Sequence, residues 1–379
     1  MKVPLLDLKA QLAPIAQEVK DAVIEVIEST NYIMGPKIEE LEKQIAEYCG
    51  VKECVAVSSG TDALLVALMA LDVKSGDLVI TTPYSFFASA GVVARLGATP
   101  VLVEIDADTF NMDPARLAEW FDRNQDKIKN VKAIMPIHLF GQCADVKPIL
   151  DIAQKYNIPV IEDSAQAIGA SYPMPDGVKK AGSMGTIGCY SFFPSKNLGC
   201  AGDGGAVATN DPVLAERLRR LRTHGAKPKY YHSLIGGNFR LDPIQAAVLL
   251  VKLPHLEKWH QMRRDNAHFY DENLKVEQIQ NPRLAYGRQH HIYNQYVLLV
   301  DEKRDALREF LNTNNIGNEV YYPVSFHEQE CFKYLGYKRG DFPISERNAR
   351  QSVAIPIYPE LTREMQGYVV EKLAEFYKN

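Results

Sequence analysis

The chain has 379 residues, 46% of them hydrophobic, enough for a large core and a smaller appended domain. Its 43 basic and 47 acidic side chains leave a net charge of −4, which offers no basic stripe for nucleic acid. No apolar run nears the roughly 20 residues that span a bilayer, and the amino-terminal MKVPLLDLKAQ lacks a signal peptide's apolar stretch, so neither membrane nor export is expected and a cytoplasmic protein is.

In chain order, residues 55–57 read as a strand, Ser58-Ser59-Gly60-Thr61 as a tight turn, and Ala63 to Leu71 as a buried helix. Such a turn aims N–H groups and hydroxyls at one point, and helix N-termini of this kind bind phosphate. Asp62 suits the dipole of any helix, and the turn is neither a GxGxxG nor a P-loop fingerprint. Further apolar strands are expected over 78–82, 100–104, 131–137, 158–162, 187–192 and 205–208, several separated by helices, which predicts an α/β doubly wound sheet.

The run Ile158 to Ile161 has the character of a buried parallel strand, and Glu162-Asp163-Ser164 follows at its carboxyl end. Ligand sites of open α/β sheets lie at that edge. A buried carboxylate is costly unless it faces a cation, so Asp163 implies a positive partner such as a protonated pyridine nitrogen. A plain cap of the next helix is the alternative. In SFFPSKNLGCAGDGGAV, residues 191–207, Lys196 stands between a small-residue turn and the glycines Gly199, Gly202, Gly204 and Gly205. Apolar Phe192, Phe193 and Leu198 can wall its amine from water, lowering its pKa toward the neutral form that condenses with carbonyls, although a lysine in such a loop is more often simply solvated.

From Pro254 the pattern changes to a charged helix, a strand in YNQYVLLV and a helix closed by the glycine of NTNNIG, which reads as a second, α+β domain. The division expected is 1–253 and 254–379. Six cysteines without zinc-type pairs are expected as reduced, buried thiols, and the adjacent His290-His291 does not suggest a metal site.

A phosphate cradle, a carboxylate for a pyridinium and a lysine for an aldehyde together match pyridoxal 5′-phosphate. Through LLDLKAQ, NYIMGPKIEELEKQIAEYCG, SSGTDAL, HLFGQCAD, IEDSAQAIGA, SFFPSKNLG and GGNFRLDPIQAAVL, the chain resembles the DegT/DnrJ/EryC1/StrS sugar aminotransferases of the aspartate-aminotransferase fold, fold type I. The resemblance implies a large domain with a mostly parallel seven-stranded sheet and a smaller α+β domain. It implies that Lys196 forms the Schiff base, Asp163 pairs with the pyridine nitrogen, Gln166 reaches the phenolic oxygen, and Gly60, Thr61 and Ser191 hold the phosphate. Phe86 would lie against the ring, with Tyr84 an equal contender and either one suited to the core.

Asn238 and Arg240 resemble positions that enter the neighbouring subunit's site, Asn238 toward the cofactor and Arg240 toward the substrate, which implies a homodimer with shared sites. Tyr322 and His327 are the further substrate residues, in a stretch that carries Tyr321 where the family usually has His. L-glutamate as donor and a nucleotide-linked ketosugar as acceptor complete the implied reaction. SKNLGCAGDGG looks more like members acting at C3 than the C4 enzymes, which more often have Glu where Asp203 stands, and so suggests a 3-keto sugar for amino-sugar or polysaccharide biosynthesis. A C4 enzyme, a sugar dehydratase, which would carry His in place of Lys196, and a non-catalytic regulatory member are the alternatives.

Overall fold

Strands β1 (Glu53–Val57), β2 (Leu78–Thr81), β3 (Thr99–Leu102), β4 (Val131–Ile134), β5 (Ile161–Asp163), β6 (Ile187–Ser191) and β7 (Gly205–Thr209) arise from the apolar runs, in a computed structural model that describes residues 1–301 and 303–378. β1, β7, β6 and β5 pair in that order, as do β3, β2 and β4. Parallel bridges Ile134↔Val160 and Ile137↔Asp163 join the two groups into one seven-stranded sheet. Every pairing is parallel except those of β7 with β1 and β6. Because β7 runs backward, residues 192–204 turn round at the carboxyl edge of β6 without a crossover helix, and Lys196 stays at that edge.

β5 begins later than the expected 158–162, since Pro159 has no N–H to donate to a ladder. Glu162 and Asp163 are therefore the last residues of the strand itself and point to opposite faces. Turns rather than a helix follow, so Asp163 is not a helix cap. The helix expected over Ala63 to Leu71 spans Gly60–Ala70 and starts directly on the glycine.

Past residue 255, β8 (Ile279–Gln280), β9 (Tyr296–Val300) and β10 (Ser352–Ile355) form an antiparallel sheet, covered by helices Leu256–Asn273, Arg304–Thr313 and Arg363–Lys378. Val3 bridges Ile316, which ties the amino terminus to this smaller unit. The first turns of Leu256–Asn273 bury Leu256 and Trp259 with Ile38 and Leu41 of the large unit, whereas Ala267 and Tyr270 pack with Tyr296 of the small one. The packing boundary thus runs through that helix. Asn315, at φ 57°, makes the left-handed turn after helix Arg304–Thr313, not the glycine expected there. Gly317 instead admits Leu5, whose backbone nitrogen a Cβ would strike. Five cysteines are buried free thiols; Cys331 is exposed, contrary to the expectation for all six. Among the described residues no helix is long and apolar enough to cross a membrane.

A buried ion pair ties the sheet's edge to its helices. Arg222, ending helix Pro212–Arg222, donates to Glu42 of helix Pro36–Cys49 and to the Ala56 carbonyl, while Glu42 accepts the Ala56 N–H at 2.9 Å. Arg222→Met is expected to cost about 3–5 kcal/mol by stranding a buried carboxylate. Adding Glu42→Leu should restore most of this, short of about 1–3 kcal/mol for the orphaned Ala56 N–H. Urea denaturation of both variants checks the order; equal stability of the single and double variants would contradict it.

Candidate active site

Three chain segments cross at the carboxyl edge of the sheet at distances only glycine allows. A Cβ on Gly60 would lie 2.5 Å from the Ser191 Cβ, and one on Gly205 would strike the Ser59 carbonyl oxygen. This crowding presses the start of helix Gly60–Ala70 against the end of β6. Ser59 caps the helix by accepting the Asp62 N–H at 3.0 Å, and Asp62 accepts from the Ser58 and Ser59 hydroxyls at 2.7 and 3.0 Å. The N–H groups of Gly60 and Thr61 have no partner within their own helix, and both residues, with Ser191, line a cavity of about 440 Å³. That volume lies within the span of small-molecule sites, about 300–1,000 Å³.

Two consecutive buried carboxylates end β5, and the second of them reaches the cavity. Glu162 is wholly buried and accepts the N–H groups of Gly182, Met184 and Gly185 at 2.8, 2.7 and 2.5 Å, with His138 Nε2 at 2.8 Å. His138 Nδ1 accepts the Ala144 N–H, so Nε2 is the nitrogen that donates to Glu162. Asp163, on the other face, lines the cavity and accepts the Ser89 hydroxyl at 2.8 Å and the Ala165 N–H at 3.2 Å. Burial raises its pKa, against the lowering effects of Ser89, the Ala165 N–H, Lys196 and His138. With two of a carboxylate's roughly four lone-pair sites used, acceptor capacity stays available for a cation from the cavity.

Lys196 enters the same cavity, and burial lowers its amine to about 8 against the attraction of Asp163. The amine is therefore divided between neutral and charged forms near neutral pH. Gln166 also lines the cavity: its Oε1 accepts the Phe140 N–H at 2.8 Å and its Nε2 donates to the Tyr322 hydroxyl at 2.7 Å, leaving one amide hydrogen free. Tyr322 thereby brings the small unit to the cavity wall. Of the two contending aromatics, Phe86 lines the cavity and is 60% exposed, while Tyr84 is buried and bonds Ser352 at 3.0 Å.

Lys196, Asp163, Gly60, Thr61, Phe86, Gln166, Ser191 and Tyr322 are thus brought together. Three expected residues are not. His327 is buried elsewhere, with Nε2 on Glu346 at 2.9 Å and its ring against Phe342, so it does not reach a substrate in this cavity. Asn238 is exposed and Arg240 lies beside Val57 at the sheet's outer edge; neither lines this chain's cavity. Ser85, Ser89, Asp203, Gln295 and Tyr321 line it without having been assigned a place there.

Residues 14–374 match the DegT/DnrJ/EryC1/StrS aminotransferase family. A protein of Geobacillus stearothermophilus named pleiotropic regulatory protein is 45% identical, with 100% of each chain covered. The dTDP-3-amino-3,6-dideoxy-alpha-D-galactopyranose transaminase of Aneurinibacillus thermoaerophilus is 40% identical over 99% of each chain. Among solved structures, DesV of S. venezuelae in complex with a ketimine intermediate superposes with a TM-score of 0.94 at 36% identity, covering 100% of this chain and 99% of its own.

The lowered pKa has two measurable consequences. In the cofactor-free protein, trinitrobenzenesulfonate should label Lys196 with a midpoint near pH 8, below the surface lysines, as peptide mapping would show; labelling only with the bulk lysines would contradict the buried amine. Because the unfolded lysine binds its proton up to its ordinary pKa of 10.5, Lys196 destabilises the fold below about pH 8, and stability recovers as pH rises between these values.

Proposed function

The chain belongs to the DegT/DnrJ/EryC1/StrS aminotransferase family, and on that premise we propose that it transfers an amino group from L-glutamate to a nucleotide-linked 3-ketosugar, in amino-sugar or polysaccharide biosynthesis. It is a pyridoxal 5′-phosphate-dependent sugar aminotransferase. The observation that carries the proposal is the convergence of a helix N-terminus, a buried carboxylate and a depressed-pKa lysine on one cavity.

The residues suit the cofactor. Gly60, Thr61 and Ser191 would hold its phosphate, Asp163 its ring nitrogen, the free amide hydrogen of Gln166 its phenolic oxygen, and Phe86 one ring face. Once bound, the cofactor supplies an aldehyde that condenses with amines and a ring that takes up electrons. Asp163 stabilises a proton on the ring nitrogen. Lys196 would hold the cofactor through that aldehyde and, with the donor bound, would act as general base and acid, taking the donor's Cα proton and, in the reverse direction, returning one to the acceptor carbon. The 3-keto assignment is supported by SKNLGCAGDGG with its Asp203 and by the relative named for a 3-amino sugar.

A regulatory role is the second reading, favoured by the name of the Geobacillus stearothermophilus relative. One experiment separates the two. The yellow, cofactor-loaded protein should bleach with L-glutamate and release 2-oxoglutarate, and Lys196→Ala should lose at least about 10²–10⁴-fold in turnover. Borohydride should tether cofactor to the wild type only. No bleaching would favour the regulatory reading, and near-normal turnover by Lys196→Ala would remove Lys196 from the chemistry.

Charge argues for a homodimer with shared sites. The charged residues lining the cavity are Asp163, Asp203 and Lys196, yet a cofactor phosphate, the donor's carboxylates and a nucleotide diphosphate are all anionic. A cation from outside this chain's cavity is needed. Arg240, with an Nε that is buried and unpaired among the described residues, and the exposed Asn238 are the groups we assign to the neighbouring site. Mixing Lys196→Ala with the double variant Asn238→Ala, Arg240→Ala tests this. After random subunit exchange half the dimers are mixed, and about a quarter of all sites should regain activity under two-fold symmetry. Confirmed exchange without recovery would place both residues outside any shared site.

A further inference from the structure

Asp163 is the buried carboxylate on which the proposed chemistry turns, and one hydroxyl dominates its surroundings. Ser89, in the first turn of helix Ala88–Arg95 and 1% exposed, donates to Asp163 Oδ2 at 2.8 Å. A serine has one hydrogen to give. Since Ser89 spends its hydrogen on Asp163, the 3.3 Å contact between Ser85 Oγ and Ser89 Oγ must have Ser85 as donor. The two hydroxyls form a chain whose hydrogens all point toward the carboxylate. Such chains polarise in a buried setting and strengthen the last bond. The arrangement also senses charge, because a protonated Asp163 would compete with Ser89 as donor.

The other groups facing Asp163 do less to fix its position. The Ala165 N–H reaches Oδ1 at 3.2 Å. Lys196 from the loop after β6 acts through charge, and His138 from the segment after β4 gives its Nε2 hydrogen to Glu162. Cys189 of β6 and Tyr322 of the small unit are a thiol and a phenol whose pKa values burial raises, so both stay neutral there.

We propose that Ser89 is a positioning residue for the reaction, a hydroxyl oriented by Ser85 that keeps Asp163 an ionised carboxylate aimed at the cofactor's ring nitrogen. The inference rests on the role assigned to Asp163 above. Without the hydroxyl, Oδ2 keeps its burial and loses its short donor, and the proton shared with the ring nitrogen moves onto Asp163. The ring is then neutral and takes up electrons poorly.

The test compares Ser89→Thr with Ser89→Val, which match in size and differ in the hydroxyl. Each holoenzyme is loaded with ring-¹⁵N-labelled pyridoxal phosphate; the nitrogen's NMR shift reports its protonation, and stopped-flow absorbance gives the glutamate half-reaction. Ser89→Thr should keep the wild-type shift and rate. Ser89→Val should move the shift toward neutral pyridine and slow the half-reaction roughly 10- to 100-fold, the span of a hydrogen bond to a charged group, with little change in KM. Equal shifts in the two variants, whether both moved or both normal, would overturn the proposal. Asp163→Asn is the control: an unmoved shift there would overturn the role of Asp163 itself, whereas a moved shift beside a normal Ser89→Val would overturn only that of Ser89.

Discussion

The site depends on two carboxylates buried side by side on a central strand. Strand geometry sends Glu162 and Asp163 to opposite faces, and the two are stabilised by different means. Glu162 receives three backbone N–H groups and an imidazole, and through them it binds residues 182–185 and the segment after β4 to the strand. Its charge is met inside the protein. Asp163 receives only a hydroxyl and one backbone N–H, and its remaining acceptor capacity faces the cavity. A buried charge left partly unmet is costly in a folded protein, and the cationic ring nitrogen proposed above would complete it.

Sheet topology places the other reactive group. Because β7 runs against its neighbours, the chain reverses beyond β6 and holds the lysine loop at the edge where parallel-sheet proteins collect their ligands. The same reversal brings Gly205 against Ser59 and Gly60 against Ser191, closer than any side chain would permit. The helix start and the lysine loop are therefore coupled through backbone contacts, so their relative positions are set by packing and not by flexible side chains. Tyr322, bonded to Gln166, carries the constraint to the smaller unit, and Tyr84, bonded to Ser352, does so again nearby.

The cavity is short of positive charge for the anions the proposed reaction brings to it. Lys196 is its one cationic side chain among the described lining residues, and burial lowers its amine to about 8. The helix N-terminus would supply partial charge for one phosphate of the proposed cofactor. The rest of the demand is what motivates the proposed second subunit, which would meet it without placing another charge of this chain beside the lysine.

Much of this was legible in the residues alone. Apolar runs and their spacing determined the seven strands, the glycine-rich loop marked Lys196, and Asp163 stood out as a charge after an apolar run; these signals are local, and local patterns survive in a sequence. Tertiary structure decided what depends on residues far apart. Whether Phe86 or Tyr84 faces the cavity turned on Ser352, which lies 268 positions from Tyr84 and claims its hydroxyl. His327 had the right chemistry for a substrate contact, but Glu346 and Phe342 enclose it. Ser89 carried no mark of its place until folding brought it within 2.8 Å of a carboxylate 74 positions away. Periodicity and turn chemistry are written in neighbouring residues, whereas the partner of a buried polar group is chosen by the packing of the whole chain.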